Sequence, residues 1–586
     1  MIKLFKRMRG AEVSMLIGMS ILILAQVWLE LTMPDYMSKI TTLVQTHTEN
    51  LGEIILAGVM MLLCAFGSMV MAIATSYMAS RLGSTFSHRL RHDVFHKVQD
   101  FSMEEIGHFS TASLITRSTN DVQQVQMVLS MGAQMIIRCP ITVGIAISKI
   151  ANKSWQWSAA TAVAAVVLLS LVVTLVAICT PKFKIIQQLT DNLNRATREN
   201  LTGLRVVRAY NAEPYQEQKF DEANDKLTNT HLFTARVMST MHPIMSTMMS
   251  GLSLVIYWIG AVLISKAAAP DRIGLFSDMV VFSSYAMQLV MSFLSINMMF
   301  NFLPRVIVAA RRINEVLETE PTIHDGEKTI AADAPKGTVE FRNVSFTYPG
   351  GGDAVLEDIS FVVPGGKTTA IIGATGSGKT TLINLIPRFY DVQKGSVLFD
   401  GVDVKDLKLT DLHNRIGYVS QKAQLFFGTI RSNITFGDNG RGEITDEAVR
   451  EAIEIAQGAE FVEKMQGTYD ALISQNGTNV SGGQRQRLSI ARAVARKPEV
   501  YIFDDSFSAL DYKTDRVLRT ELKRKTAGVT SIIVAQRIGT IRDADQIIVL
   551  DEGKIVGCGT HDELMTSCEV YREIAYSQLS KEELGA

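Results

Sequence analysis

The amino-acid sequence predicts two architectures joined end to end, an α-helical transmembrane region of six helices followed by a soluble α/β domain. Three observations carry this. Six long apolar runs all lie before about residue 305. At Thr338 the pattern changes to strand-like alternation with Gly-rich turns, beginning VEFRNVSFTYPGG. A glycine-rich stretch, GATGSGKT from Gly373 to Thr380, then lies between an apolar strand and a helical segment.

A chain of 586 residues is too long for one ordinary domain. Hydrophobic residues make up 47% and charged residues 20%, an apolar balance for a soluble enzyme. The net charge of −1 gives no support to a nucleic-acid partner. Cys64, Cys139, Cys179, Cys558 and Cys568 show neither metal-ligand spacing nor disulfide-scaffold density. Most of them read as small buried residues in a reducing compartment.

The apolar runs cover roughly 13–33, 52–79, 128–150, 157–180, 240–265 and 276–303, each near the ~20 residues that span a bilayer. The first starts too early and runs too long for a cleaved signal peptide. Basic residues set the orientation. Lys3, Lys6, Arg7 and Arg9 precede the first run, Arg81 to Arg117 separate the second and third, and Lys182 to Arg236 the fourth and fifth. The opposite loops hold few, Lys149, Lys153, Lys266 and Arg272. The bias places both termini and the soluble domain in the cytoplasm of a multi-pass protein of the cell membrane. The two long basic connections have few Gly or Pro breakers and read as membrane helices extended beyond the bilayer. A polar linker, TIHDGEKTIAADAPKG, follows the sixth helix. The expected domains are therefore 1–320, a linker 321–337, and 338–586.

GATGSGKT fits Gly, four residues, then Gly-Lys-Thr, in the strand-then-helix context that a phosphate loop requires. Gly373, Gly376 and Gly378, with Thr375 and Ser377 between them, let backbone N–H groups turn toward phosphates, and the helix that carries Thr381 adds its dipole. Lys379 supplies a positive charge, and Thr380 offers a hydroxyl to Mg²⁺. Downstream, the strand VYIFDD ends in Asp504, a carboxylate placed to act on that metal through water. Together they predict an α/β P-loop NTPase domain that binds ATP and Mg²⁺. Between them, Ser481, Gly482 and Gly483 precede a helix running from about Gln484. By residue type alone this is either a second phosphate site or a capped helix start.

SGGQRQR between a phosphate loop and a strand ending in Asp resembles the signature of ATP-binding cassette proteins. Order and spacing agree over the whole soluble part, and six fused helices ahead of it resemble the exporter class. The resemblance implies that Tyr348 in FTYPGG stacks on adenine and that Gln421 in YVSQKAQLF touches Mg²⁺. It also implies that Asp511 in SALD belongs to a loop reaching a second nucleotide domain. GHFSTASLITRSTNDVQQV and RENLTGLRVVRAYNAE resemble the coupling segments. In that family two nucleotide domains meet head to tail, so Ser481, Gly482, Gly483 and Gln484 would complete a partner's ATP site.

Two positions depart from the family pattern. Asp505 stands where a catalytic glutamate is expected, and Gln536, in SIIVAQRIGTI, where a histidine is expected. An acid one methylene shorter draws the carboxylate back by about 1.5 Å. An amide carries no positive charge and shuttles no proton. Both losses fall on the ATP site built on this chain's own phosphate loop. The expectation is a heterodimeric exporter of the multidrug type, this subunit bearing the degenerate site. A homodimeric exporter or lipid flippase, or an ATP-gated regulatory membrane protein, are the rivals. As to cargo, Met238, Met241, Met245, Met248 and Met249 share one helix face, which either packs the bundle or lines a hydrophobic small-molecule cavity. Glu30, near the outer end of the first helix, attracts a cationic cargo or pairs with a neighbouring helix, and Arg138 is equally open.

Overall fold

A computed structural model describes residues 2–45, 51–151, 155–268, 271–331 and 336–578. Lys153, linker residues 332–335 and residues 579–586 of the expected second domain lie outside them. The chain forms two compact units, Met1–Gln99 with Ala112–Thr319, and Asp100–Thr111 with Glu320–Ala586.

Among the described residues of the first unit six helices are long and apolar enough to cross a membrane. They run Gly10–Gln45, Leu51–Gln99, Thr111–Ala151, Trp155–Thr202, Glu213–Lys266 and Asp271–Glu318. Each outlasts its apolar run, because the polar extensions continue the same backbone ladder. Two bounds correct the sequence reading. The first helix passes through Pro34 to Gln45, so Glu30 lies within it and not near its outer end. A proline at such a site frees few backbone groups that neighbours cannot satisfy. The third helix starts at Thr111, well before the apolar run, and contains two π turns, Arg117–Asp121 and Val128–Gly132.

Apolar surface and ion pairs organise this bundle. Met19, Ile23, Val27 and Leu31 recur every four residues on the first helix and are buried with Phe282 and Tyr285 of the sixth. Trp157 is also buried there, its indole Nε1 donating to the Ile256 carbonyl at 3.2 Å. Gly260 must be small, since a Cβ there would meet Met279 Sδ at 2.3 Å. Arg138 donates to Glu30 at 2.7 Å, and Gln26 and Ser68 donate to the other oxygen of Glu30 at 3.0 and 3.2 Å. The two charges that the sequence left open thus neutralise each other. Nearer the N-terminus, the buried Glu12 accepts from Arg89 at 2.8 Å. Beyond the bilayer Arg117 donates to Glu315 at 2.8 Å.

The second unit holds a four-stranded antiparallel sheet, in the order Leu356–Val363, Val339–Phe346, Lys394–Phe399, Val402–Asp403. It also holds a six-stranded sheet in the order Lys554–Gly559, Gln546–Asp551, Thr368–Gly373, Thr530–Val534, Val500–Asp504, Ile416–Val419. All neighbours in the larger sheet are parallel except the first pair. A parallel strand covered on both faces reads as a near-continuous apolar run, and TTAIIG, VYIFD and TSIIV keep theirs at Ala370–Ile372, Val500–Phe503 and Ile532–Val534. Ile371, Ile502 and Ile532 face one core with Leu382, while Ile372, Phe503 and Ile533 face the other with Leu488. Parallel register brings the carboxyl ends of five strands to one edge, where such sheets bind ligands.

The short helix Met103–Phe109 packs with this second unit. Ser102 caps it and Glu105 returns the bond in a capping box. Glu105 also accepts from the Thr322 N–H at 3.1 Å, and Ser102 meets the Thr322 hydroxyl at 3.0 Å.

Candidate active site

Four strand ends carry the site. The strand Thr368–Gly373 enters the phosphate loop at Gly373, where a Cβ would meet the Leu550 carbonyl at 2.0 Å, so only glycine allows the turn. The loop ends at Gly378, which has φ +96° and opens the helix Lys379–Asn384. Lys379 is nearly buried, and its Nζ donates to the carbonyls of Gly373 and Ala374 at 2.9 and 2.7 Å. The loop therefore holds the ammonium inside its own ring. Burial lowers the Lys379 pKa, while Asp505 and Asp504 oppose the shift.

The neighbouring strand ends in Asp504, whose Oδ1 accepts from the Thr380 hydroxyl at 3.0 Å. Thr381, next in the helix, meets the Tyr348 hydroxyl at 3.0 Å. The Tyr348 ring stands edge-on to Phe346 and Tyr390, at 5.0 and 5.3 Å, beside the helix start. Asp505 follows with φ +45°, a left-handed conformation that Asp tolerates. Its N–H donates to the Val534 carbonyl at 3.0 Å. That turn presents the carboxylate to two amides, with Gln536 Nε2 at 3.0 Å and Gln421 Nε2 at 3.4 Å from the same oxygen, Oδ2. Burial raises the pKa of both acids. For Asp504 the Thr380 hydroxyl opposes it and the Asp505 charge adds to it; for Asp505 Ser508, Gln421, Lys379 and Arg537 oppose it.

The sequence-predicted residues thus fall into two groups. Gly373, Lys379, Thr380, Thr381, Tyr348, Gln421, Asp504, Asp505 and Gln536 share one connected network. Thr375, Gly376 and Ser377 lie on its loop, and a Cβ at Gly376 would meet nothing within 4 Å. Ser481, Gly482, Gly483, Gln484 and Asp511 sit at two other helix starts. The Ser481 hydroxyl accepts from Gln484 N at 3.3 Å while the Gln484 side chain accepts from Ser481 N at 2.9 Å, a closed capping box. Asp511 caps Tyr512–Lys525 through the Thr514 N–H at 3.0 Å, which holds its carboxyl below the usual range.

Three positioning contacts escaped sequence reasoning. Ser506 donates to the Val419 carbonyl at 3.0 Å, tying the end of the Asp504 strand to the strand before Gln421. Gln486, on the signature helix, donates to the Ser420 carbonyl at 3.3 Å. Gln578, from the helix Glu569–Gln578, bonds the backbone beside Gln536. Each links segments more than 40 residues apart, and no local pattern marks them.

In the bundle, Met238, Met241, Met245 and Met249 line a cavity of about 820 Å³ with Met287 and Met291. Met248 lies outside that lining and, like Met249, packs against the bundle core to which Met241 and Met245 belong. Arg138, Glu30 and Gln134 border a second cavity of about 670 Å³.

Comparison with known proteins agrees with this layout. Residues 14–293 match the ABC transporter transmembrane region, and residues 356–508 match the ABC transporter family. An ABC transporter ATP-binding protein of Mycobacterium tuberculosis is 38% identical over 86% of each chain. YfiB of Bacillus subtilis, also described as an ABC transporter ATP-binding protein, is 33% identical over 97% of each. An ATP-dependent lipid A-core flippase of Pseudomonas putida is 32% identical, over 84% of this chain and 80% of its own. Among solved structures, a bacterial Atm1-family ABC exporter with ATP bound has the same fold, with TM-score 0.80 and 23% identity over 97% of this chain and 99% of the other. Membrane helices and a phosphate-binding sheet fused in this order make the chain a member of the ABC transporters, an ATP-hydrolysing half-transporter with the fold of an ABC exporter and a cytoplasmic nucleotide-binding domain.

Proposed function

We propose that this chain is one subunit of a heterodimeric exporter, that its own ATP site hydrolyses slowly, and that its signature segment completes a partner's active site. One observation carries the reading: Asp505 Oδ2 accepts from both Gln421 and Gln536. In this reading a base that must take a proton from water is short by one methylene, and the two amides orient it without restoring its reach. The group beside it cannot become cationic. A displacement near 1 Å costs ~10²-fold, roughly 2.7 kcal/mol of barrier. Meanwhile the Ser481–Gln484 helix start keeps its cap, and the Gly482 and Gly483 N–H groups, which the capping box does not use, would face a second nucleotide.

ATP would lie on the phosphate loop with adenine against Tyr348. Mg²⁺ fits the donor set, since Thr380 supplies an oxygen ligand, Asp504 a carboxylate to act through water, and Gln421, donating through Nε2, keeps its Oε1 for the ion. ATP binding then favours the closed pair of nucleotide domains over the open one. The methionine-lined cavity suits amphipathic cargo of variable shape, because thioether chains are flexible and polarisable.

A second reading, a lipid flippase working as a homodimer, is favoured by the relatives described as lipid A-core flippases. ATPase assays on the purified chain, alone and with a co-expressed second half-transporter, separate the two. Low activity alone and high activity as a pair support the heterodimer. Robust activity alone, with no copurifying partner, sinks it.

A further inference from the structure

The Gln536 loop is held by a residue far from it in sequence. Arg537 stands at the N-cap of the short helix Ile538–Ile541 and makes no side-chain cap bond, so the first N–H of that helix needs an outside partner. Gln578 supplies it. Its Oε1 accepts from the Ile538 N–H at 2.9 Å, and its Nε2 donates to the Gln536 carbonyl at 2.7 Å. One amide therefore reads a donor and an acceptor two residues apart, as a strand neighbour would, and fixes the peptide planes on both sides of Arg537.

The helix that carries Gln578 is itself anchored. Tyr571 and Ala575 are fully buried, and the Tyr571 hydroxyl lies 2.7 Å from His561 Nδ1. Ile538, under the bridge, is fully buried too. The bridge thus runs from one packed element to the loop whose side chain reaches Asp505 Oδ2 at 3.0 Å.

We propose that Gln578 is a positioning residue for ATP hydrolysis, acting through the backbone of the 536–538 loop to hold Gln536 against Asp505. This rests on the reading of Gln536 and Asp505 as the hydrolytic end of the site. Gln578 is exposed, so truncating it opens no cavity and leaves packing intact.

The test uses the full chain with any subunit that copurifies, and measures single-turnover ATP cleavage, ATP affinity and hydrogen exchange at the Ile538 amide. Gln578→Ala is expected to slow cleavage roughly tenfold, with ATP affinity unchanged and faster exchange at Ile538. Gln578→Glu keeps the acceptor for Ile538 and loses the donor to Gln536, so a loss of roughly threefold is expected. Gln578→Ala added to Gln536→Ala is expected to cost nothing further, because the bridge has no side chain left to aim. An unchanged cleavage constant or exchange rate for Gln578→Ala overturns the proposal, as does a full extra loss in the double variant. If Gln536→Ala cleaves at the parental rate, the reading of the site falls as well. If Gln536→Ala slows cleavage and Gln578→Ala does not, the bridge alone is refuted.

Discussion

At the phosphate loop, Thr380 and Asp504 meet across 124 residues of sequence, and Asp505 is reached from Gln421 and Gln536, 84 and 31 residues away. At the signature helix, Ser481 and Gln484 bond each other across three residues. One half-site exists only when the sheet is assembled, whereas the other is organised by its own first turn. The difference teaches where each is vulnerable: the first to anything that shifts a strand end, the second first of all to loss of its cap.

The strongest challenge to this contrast is Lys379→Ala. It removes the one ammonium from the strand-end network and should weaken ATP binding on the order of 100-fold, about 2.7 kcal/mol, in a fluorescent-nucleotide titration. A comparable loss in Ser481→Ala, measured on the chain alone, would make the two half-sites equivalent and end the comparison. Next in size, Asp505→Glu with Gln536→His should speed single-turnover cleavage by roughly 10- to 100-fold, since the carboxylate advances and a titratable ring returns. No gain would mean that the short acid is not what limits this site. Ser481→Ala should cost about 1 kcal/mol in a denaturant melt while leaving ATP affinity at the chain's own loop unchanged.

The smallest effect is a pH dependence confined to the strand-end side. Burial and then Arg542 hold the His561 pKa below 6.5, with Asp562 and Asp543 opposing. The unfolded imidazole takes a proton more readily than the folded one. Stability from His561 is therefore whole above pH 6.5 and is lost as pH falls from there toward the lowered folded value. On acidification from about pH 7.5 to 5.5, protection of the Ile538 amide, its exchange corrected for the intrinsic pH dependence of amide exchange, should fall and that of Arg485 should not, with the difference blunted in His561→Gln. Equal responses at both amides would place the titrating group elsewhere.

The same contrast explains what the sequence made legible. The signature start, the phosphate loop and the strand ending in Asp504 are local patterns, and the apolar runs stand out because lipid-facing helices are apolar nearly all round. Pairings that cross the fold left no local trace. Glu30 and Arg138 were each readable as a charge in a membrane, but their 2.7 Å bond depends on how helices pack. The Gln578 bridge and the left-handed turn at Asp505 are likewise products of assembly. Helix ends were the least legible, because polar residues continue a helix as readily as they end one.

The segment Asp100–Thr111 packs with the nucleotide-binding unit while the chain on either side of it, to Gln99 and from Ala112, packs with the membrane unit. Force therefore leaves that segment through two peptide bonds, which neither slip nor depend on concentration, salt or pH. Its grip on its own unit is a different matter: a seven-residue helix tied to Thr322 by hydrogen bonds from Ser102 and Glu105. Under load such a joint works as a fuse. It would let go at the hydrogen bonds before any covalent element was strained, and a damaged transporter of this design would go on consuming ATP while idling.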